Sequence, residues 1–180
     1  IAFYILIRIS KGKEDRARIA ERYGTSDVER KKGKVIWFHA ASIGESLSIL
    51  PLLSKLNSDK SIDQIILTTG TITSENILKG KLSKKIIHQF IPFDIPSYVN
   101  KFLNHWKPSL AIFVESEIWP NFLTELKKRN INSLIVNGRM TIKSFKRWST
   151  LSRSSEKLFS NFTACCTQNS DSAFFYEKLG

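Results

Sequence analysis

The chain is poor in cysteine, proline, glycine and acidic residues. Its cysteines are Cys165 and Cys166, adjacent in sequence. Vicinal cysteines rarely bridge each other, and no zinc-ligand spacing exists, so a disulfide scaffold and a zinc fold are excluded. They read as small apolar residues of a buried strand, in keeping with a reducing compartment. Five prolines and eight glycines in 180 residues rule out a fibrous or disordered chain, and 42% apolar residues allow a sizeable core. Acidic residues number 16 against 28 Lys and Arg, a net charge of +12. That balance favours a polyanionic partner: nucleic acid, an anionic membrane or a phosphorylated substrate. A surface merely solvated by lysine gives the same count. No RNP-like, zinc-finger or helix-turn-helix pattern is present to favour nucleic acid.

Long hydrophobic runs are also missing. The opening "IAFYILIRIS" breaks at Arg8 and passes into "KGKEDRAR", far short of the roughly 20 residues that span a bilayer. Its positive charges follow the apolar run, whereas a signal peptide carries them before it. Residues 1–24 read as the stub of a membrane anchor and a basic helix, or alternatively as a buried first helix, and 25–180 as one domain. Both ends of the chain read as cut.

What is present is regular. Six short runs rich in Val, Ile and Phe recur, at 34–40, 62–69, 85–90, 109–115, 132–137 and 162–167. Between them lie the helix-like segments "SLSILPLLSKL", "TSENILKGKL", "PSYVNKFLNHW" and "PNFLTELKKRN", then a basic stretch from Thr141 to Phe159. Continuous apolar strands are buried on both faces, and their alternation with helices gives βαβ units. The expectation is a Rossmann-like α/β domain: a parallel sheet of about six strands with helices on both faces.

In open α/β sheets ligands bind at the carboxyl ends of the strands. Small, polar and acidic residues crowd those ends here: "HAASIGE", "TTGT", "PFD", "ESEIWPN", "NGR" and "QN". Small residues at 40–42 let a ligand approach the backbone, and Gly44 permits an unusual turn. Glu45 is poised to accept a proton from a hydroxyl, or is a favourable charge in a helix's first turn. Glu115 and Glu117 flank Ser116 and could hold a substrate group; alternatively Glu117 caps the helix opened by Pro120. "TTGT" lacks the glycines and lysine of a P-loop, yet the hydroxyls of Thr69 and Thr71 suit a phosphate. His88 and His105 read as structural, while His39 ends the first strand and is the best placed of the three to face the site. No metal constellation appears.

Together "HAASIGE", "TTGTITS", "IPFDIP", "ESEIWPN" and "VNGRMTIKSFKRW" resemble the N-terminal half of the Kdo transferases, which act on lipid A precursors. The motifs cover nearly the whole chain in family order. The resemblance implies the N-terminal, acceptor-binding domain of a GT-B glycosyltransferase in lipopolysaccharide biosynthesis. Such an enzyme transfers 3-deoxy-D-manno-octulosonic acid (Kdo) from CMP-Kdo to a lipid A precursor, lipid IVA, with inversion and without a metal or other cofactor. CMP-Kdo would bind a second domain that this chain lacks, so the chain alone would be inactive. The resemblance assigns Glu45 as catalytic base and Glu115 as an orienting or charge-stabilising residue. It places Ser42, Gly44, Thr69, Thr71, Glu117, Asn137 and Arg139 at the acceptor. It implies the cytoplasmic face of the inner membrane as location, an anionic membrane surface as partner, and no nucleic acid. Where the family usually has Asn-Ala-Arg this chain has Asn137-Gly138-Arg139, which leaves the arginine available. Arg139, Lys143, Lys146 and Arg147 are then candidates for acceptor phosphate or lipid headgroup, or form a solvated helix face. Phe3, Tyr4 and Leu6 are candidates for acyl-chain contact. The rival readings are another GT-B nucleotide-sugar transferase and a basic, non-enzymatic nucleic-acid-binding domain.

Overall fold

In the computed structural model residues 2–180 are described, the side chains of residues 2–4, 6 and 152 excepted. Phe3, Tyr4 and Leu6, expected to meet acyl chains, therefore lie outside the described side chains.

The apolar runs become six strands: β1 (Val35–His39), β2 (Gln64–Thr69), β3 (Ile86–Phe90), β4 (Leu110–Val114), β5 (Asn132–Gly138) and β6 (Ala164–Thr167). All five pairings are parallel, in the order β3-β2-β1-β4-β5-β6. The expected Rossmann-like sheet is present. β1 and β2 are buried throughout, because successive side chains enter separate cores on the two faces. Val35 and Trp37 join one core with residues of α5 (Pro96–Trp106), α6 (Pro120–Lys128) and α9 (Ser170–Leu179). Ile36 and Phe38 join the other with leucines of α3 (Leu50–Asn57) and α4 (Ile72–Leu78). Trp37 anchors the first core, its ring 4.9 Å from both Phe102 and Phe122 and 5.3 Å from Phe113.

Three local expectations need correction. "SLSILPLLSKL" forms two helices, α2 (Ile43–Ser48) and α3, broken at Ile49. Pro51 has no N–H to continue the first helix, and its ring opens the second instead. The stretch 141–159 likewise splits into α7 (Ile142–Ser149) and α8 (Ser152–Phe159). Cys165 and Cys166 do not lie in a buried strand: β6 is an edge strand, with Cys165 half-buried and Cys166 exposed.

The chain opens on α1 (Ala2–Ser10), and the basic segment after it forms a 3-10 turn, Ile19–Tyr23, in place of a regular helix. Among the described residues no helix is long and apolar enough to cross a membrane. Arg22 ties this segment to the domain. It is buried with Glu14 and donates to the carbonyls of Ile91 (2.9 Å) and Gly70 (2.7 Å), at the carboxyl ends of β3 and β2.

Candidate active site

The strand order runs outward in both directions from β1 and β4, which lie side by side. In such a sheet the crevice outside the carboxyl ends of those two strands is where ligands bind. Two motifs meet there: the loop after His39 and the loop after Val114.

The first loop enters α2 through a variant of the capping box, its carboxylate bonding the amide one residue before the N-cap. Ser42 is the N-cap, its Oγ accepting from the Glu45 amide at 3.3 Å. The Glu45 carboxylate reaches back, taking 2.8 Å hydrogen bonds from the Ser42 hydroxyl and the Ala41 amide. The helix-start role and the site role proposed for Glu45 are thus compatible, since each carboxylate oxygen keeps a free lone pair. Glu45 is 8% exposed. Burial pushes its carboxyl above the ordinary glutamate range; the Ser42 and Ala41 bonds pull the other way, the Glu117 charge adds to the rise, and His39 opposes it. Gly44 does not make the unusual turn expected of it: it has ordinary helical backbone in α2. Its missing side chain instead leaves open space: among the described residues a Cβ there would meet the Ser42 Oγ, at 3.9 Å.

The second loop starts at Glu115, whose left-handed backbone (φ 59°) turns the chain off the strand. Its carbonyl accepts from the Tyr176 hydroxyl at 3.3 Å. Glu117 points its carboxylate at β1: Oε2 lies 3.2 Å from His39 Nε2 and accepts from the Trp119 indole at 2.7 Å. Burial pushes the Glu117 carboxyl up, but His39 and Trp119 outweigh burial and hold it below the usual range. His39 is fully buried, and its Nδ1 lies 3.0 Å from the Thr68 hydroxyl. Glu117 does not cap α6, the alternative left open above. Asp94 does so, accepting from the amides of Asn121 and Phe122, both at 3.0 Å.

The other expected residues are spread around this centre. Thr69 does not face the open edge: it is buried and its hydroxyl is 2.9 Å from His88 Nε2. Thr71 is the exposed N-cap of α4. Asn137 is exposed with φ 55°, at an irregularity in the β5–β6 register, and leads to exposed Arg139. Lys143, Lys146 and Arg147 are exposed on α7. His88 is structural, held between Arg18 and Thr69, and His105 contacts the Val28 carbonyl at 2.9 Å. Among the described residues no group of three or more His, Cys, Asp or Glu could hold a metal ion.

Sequence reasoning missed the His39–Glu117 pair, the Asp94 cap and buried Arg22. Each joins residues distant in sequence, and periodicity carries no signal for that. The position of Asp94 before a Pro-opened helix two elements away could not be weighed without the topology.

The family model for 3-deoxy-D-manno-octulosonic-acid transferase (kdotransferase) matches residues 17–180. The chain belongs to this family. Its fold is that of the family's N-terminal, GT-B-type domain. It is 36% identical over 176 residues to the 3-deoxy-D-manno-octulosonic acid transferase of Rickettsia bellii, covering 98% of this chain and 42% of that protein. It is 32% identical over 171 residues to that of Haemophilus influenzae, covering 94% and 40%. It is also 39% identical over 150 residues to a "Probable 3-deoxy-D-manno-octulosonic acid transferase, mitochondrial" of Arabidopsis thaliana, covering 83% and 34%. The chain thus spans between about a third and two fifths of these relatives.

Proposed function

We propose that this chain is the acceptor-binding part of a glycosyltransferase that moves Kdo from CMP-Kdo to a lipid A precursor, lipid IVA, at the cytoplasmic face of the inner membrane. The observation that carries the proposal is the Glu45 carboxylate, fixed at the β1–β4 switch point with its affinity for a proton raised by burial.

Glu45 is the general base of this reading. A sugar hydroxyl of the acceptor gives its proton to Glu45 as its oxygen attacks the anomeric carbon of Kdo. The bond to the CMP oxygen breaks with its electron pair, and the configuration inverts. A base must be within hydrogen-bond reach of the proton it takes, with a pKa drawn toward working pH. Burial supplies the second condition, and the open space over Gly44, beside the Ser42 hydroxyl that holds Glu45, suits the first. The Ser42 hydroxyl and Ala41 amide orient the carboxylate, and the His39–Glu117 pair holds the neighbouring charge in place. Glu115 orients the acceptor, and CMP leaves without help from a metal ion. Donor binding belongs to the further length found in the relatives. Arg and Lys around α1 and α7 suit an anionic leaflet.

The test is transfer itself. Full-length protein in membranes, given CMP-Kdo and tetraacylated lipid A precursor, should yield a product heavier by one or more Kdo units in mass spectrometry. No such product from folded protein sinks the proposal.

A further inference from the structure

Beside the active edge lies a pocket of about 120 Å³ lined by Ser116, Arg139, Ser144, Arg147, Trp148 and Tyr176 among others. A single water needs only about 10–15 Å³ on such a measure, so a tetrahedral anion fits. We propose that this pocket binds a phosphate monoester of the acceptor glycolipid. This rests on the function proposed above and adds the place where the acceptor's phosphate is read.

Neither the Arg139 nor the Arg147 guanidinium has a hydrogen-bonding or ion-pair partner among the described residues. Four other arginines each hold a carboxylate: Arg8 and Arg22 on Glu14, Arg18 on Glu21, and Arg129 near Glu125. Two cations lining one concavity give it a positive potential that draws in an anion. A planar guanidinium suits the oxygens of a phosphate by paired N–H donors. Ser116 and Ser144 line the same pocket. The neighbouring Glu117 carboxylate is turned to other partners, His39 and Trp119.

The pocket is also built into the site. The Ser116 hydroxyl donates to the Arg139 carbonyl, joining the loop after β4 to the loop after β5. The Met140 amide donates to Ser172 Oγ at 3.1 Å, fixing the floor on α9. Ser116 lies next to Glu117, so an anion held here sits at a defined offset from the catalytic edge. A phosphate bound in this pocket would present the sugar bearing it toward that edge.

The experiment compares full-length wild type with Arg139→Gln and Arg147→Gln on three acceptors: the bisphosphorylated precursor and the two monophosphorylated forms. Both arginines are exposed, and thermal melts check that the variants fold. Loss of a hydrogen bond to a charged group predicts a KM raised about tenfold to a hundredfold on the bisphosphate, with kcat nearly unchanged. On the form lacking the recognised phosphate, wild type already shows the raised KM, and the substitutions add no more than about threefold. Arg147→Lys restores part of the affinity. Equal losses on all three acceptors overturn the proposal. So does a loss that follows phosphatidylglycerol content and vanishes in phosphatidylcholine vesicles, since the phosphate read is then the membrane's. If wild type transfers nothing, the catalytic proposal fails, and inorganic phosphate decides the pocket alone. Phosphate should raise the thermal midpoint of wild type but not of the double variant; no rise in wild type overturns the pocket.

Discussion

Replacing Glu45 with Gln separates the two roles that the carboxylate holds. Its oxygens accept hydrogen bonds from two donors, the Ser42 hydroxyl and the Ala41 amide, at 2.8 Å each. Glutamine offers one acceptor oxygen and one NH2, so one donor faces another donor. A buried donor left unpaired costs about 1–3 kcal/mol. Rotation of the Ser42 hydroxyl relieves part of that, and loss of a buried charge removes a further cost. The expected net loss is at the low end, about 1 kcal/mol, a fall in thermal midpoint of roughly 2–4 °C for a chain of this size. Against a total stability of about 5–15 kcal/mol the variant stays folded. Its catalytic loss is different in scale. General-base catalysis contributes about 10²–10⁴ in rate, equivalent to about 2.7–5.5 kcal/mol of barrier. The assay is initial-rate Kdo transfer by full-length protein at saturating acceptor, with circular dichroism melts of the same samples. A folded Glu45→Gln variant that keeps more than about a tenth of wild-type kcat refutes the base assignment and leaves Glu45 as a helix cap.

Other expectations follow from the same contacts. The Glu117 charge is among the causes that raise the Glu45 carboxyl, so Glu117→Gln should move the acidic limb of the pH–rate profile to lower pH; an unmoved limb means the two carboxylates are not coupled. Asp94 caps α6 through two backbone amides, and Asp94→Ala should cost about 1–2 kcal/mol in urea unfolding without selectively reducing kcat; an unchanged midpoint contradicts the cap. His88 is held at about 3 by burial, then by the charges of Arg18 and Arg22. Its folded pKa is below the ordinary 6.5, so the stability it contributes is complete above about pH 6.5 and is lost as pH falls toward 3, by at most about 1.4 kcal/mol per unit. Thermal midpoints of wild type and His88→Gln should therefore converge on acidification; parallel curves contradict it.

Much of the fold was legible because its code is local. Continuous apolar runs marked β1, β2 and β4 as doubly covered strands, since each face needs its own apolar residues. Helix α5 begins and ends where its sequence pattern predicted, with Pro96 at its start. Less was legible where the deciding contact was remote. Cys165 and Cys166 looked interior because their residue types are apolar, but position at the sheet edge decided exposure. Gly44 suggested a special turn, yet the turn is made by Ser42 as N-cap, and glycine supplies only space. Thr69 carried a hydroxyl at a strand end, but strand alternation aimed it inward at His88.

By itself the sequence determined the number of strands, the place of Glu45 in the first turn of a helix, and the excess of positive charge. These depend on residues close along the chain, where spacing and residue type settle the outcome. Only the tertiary structure decided that β1 lies beside β4, and therefore that His39 meets Glu117 and stands near Glu45. Periodicity says that a strand is buried but not which strand covers it. Neighbour choice is set by the packing of all the helices against both faces at once, and that packing brought two separate acidic motifs together.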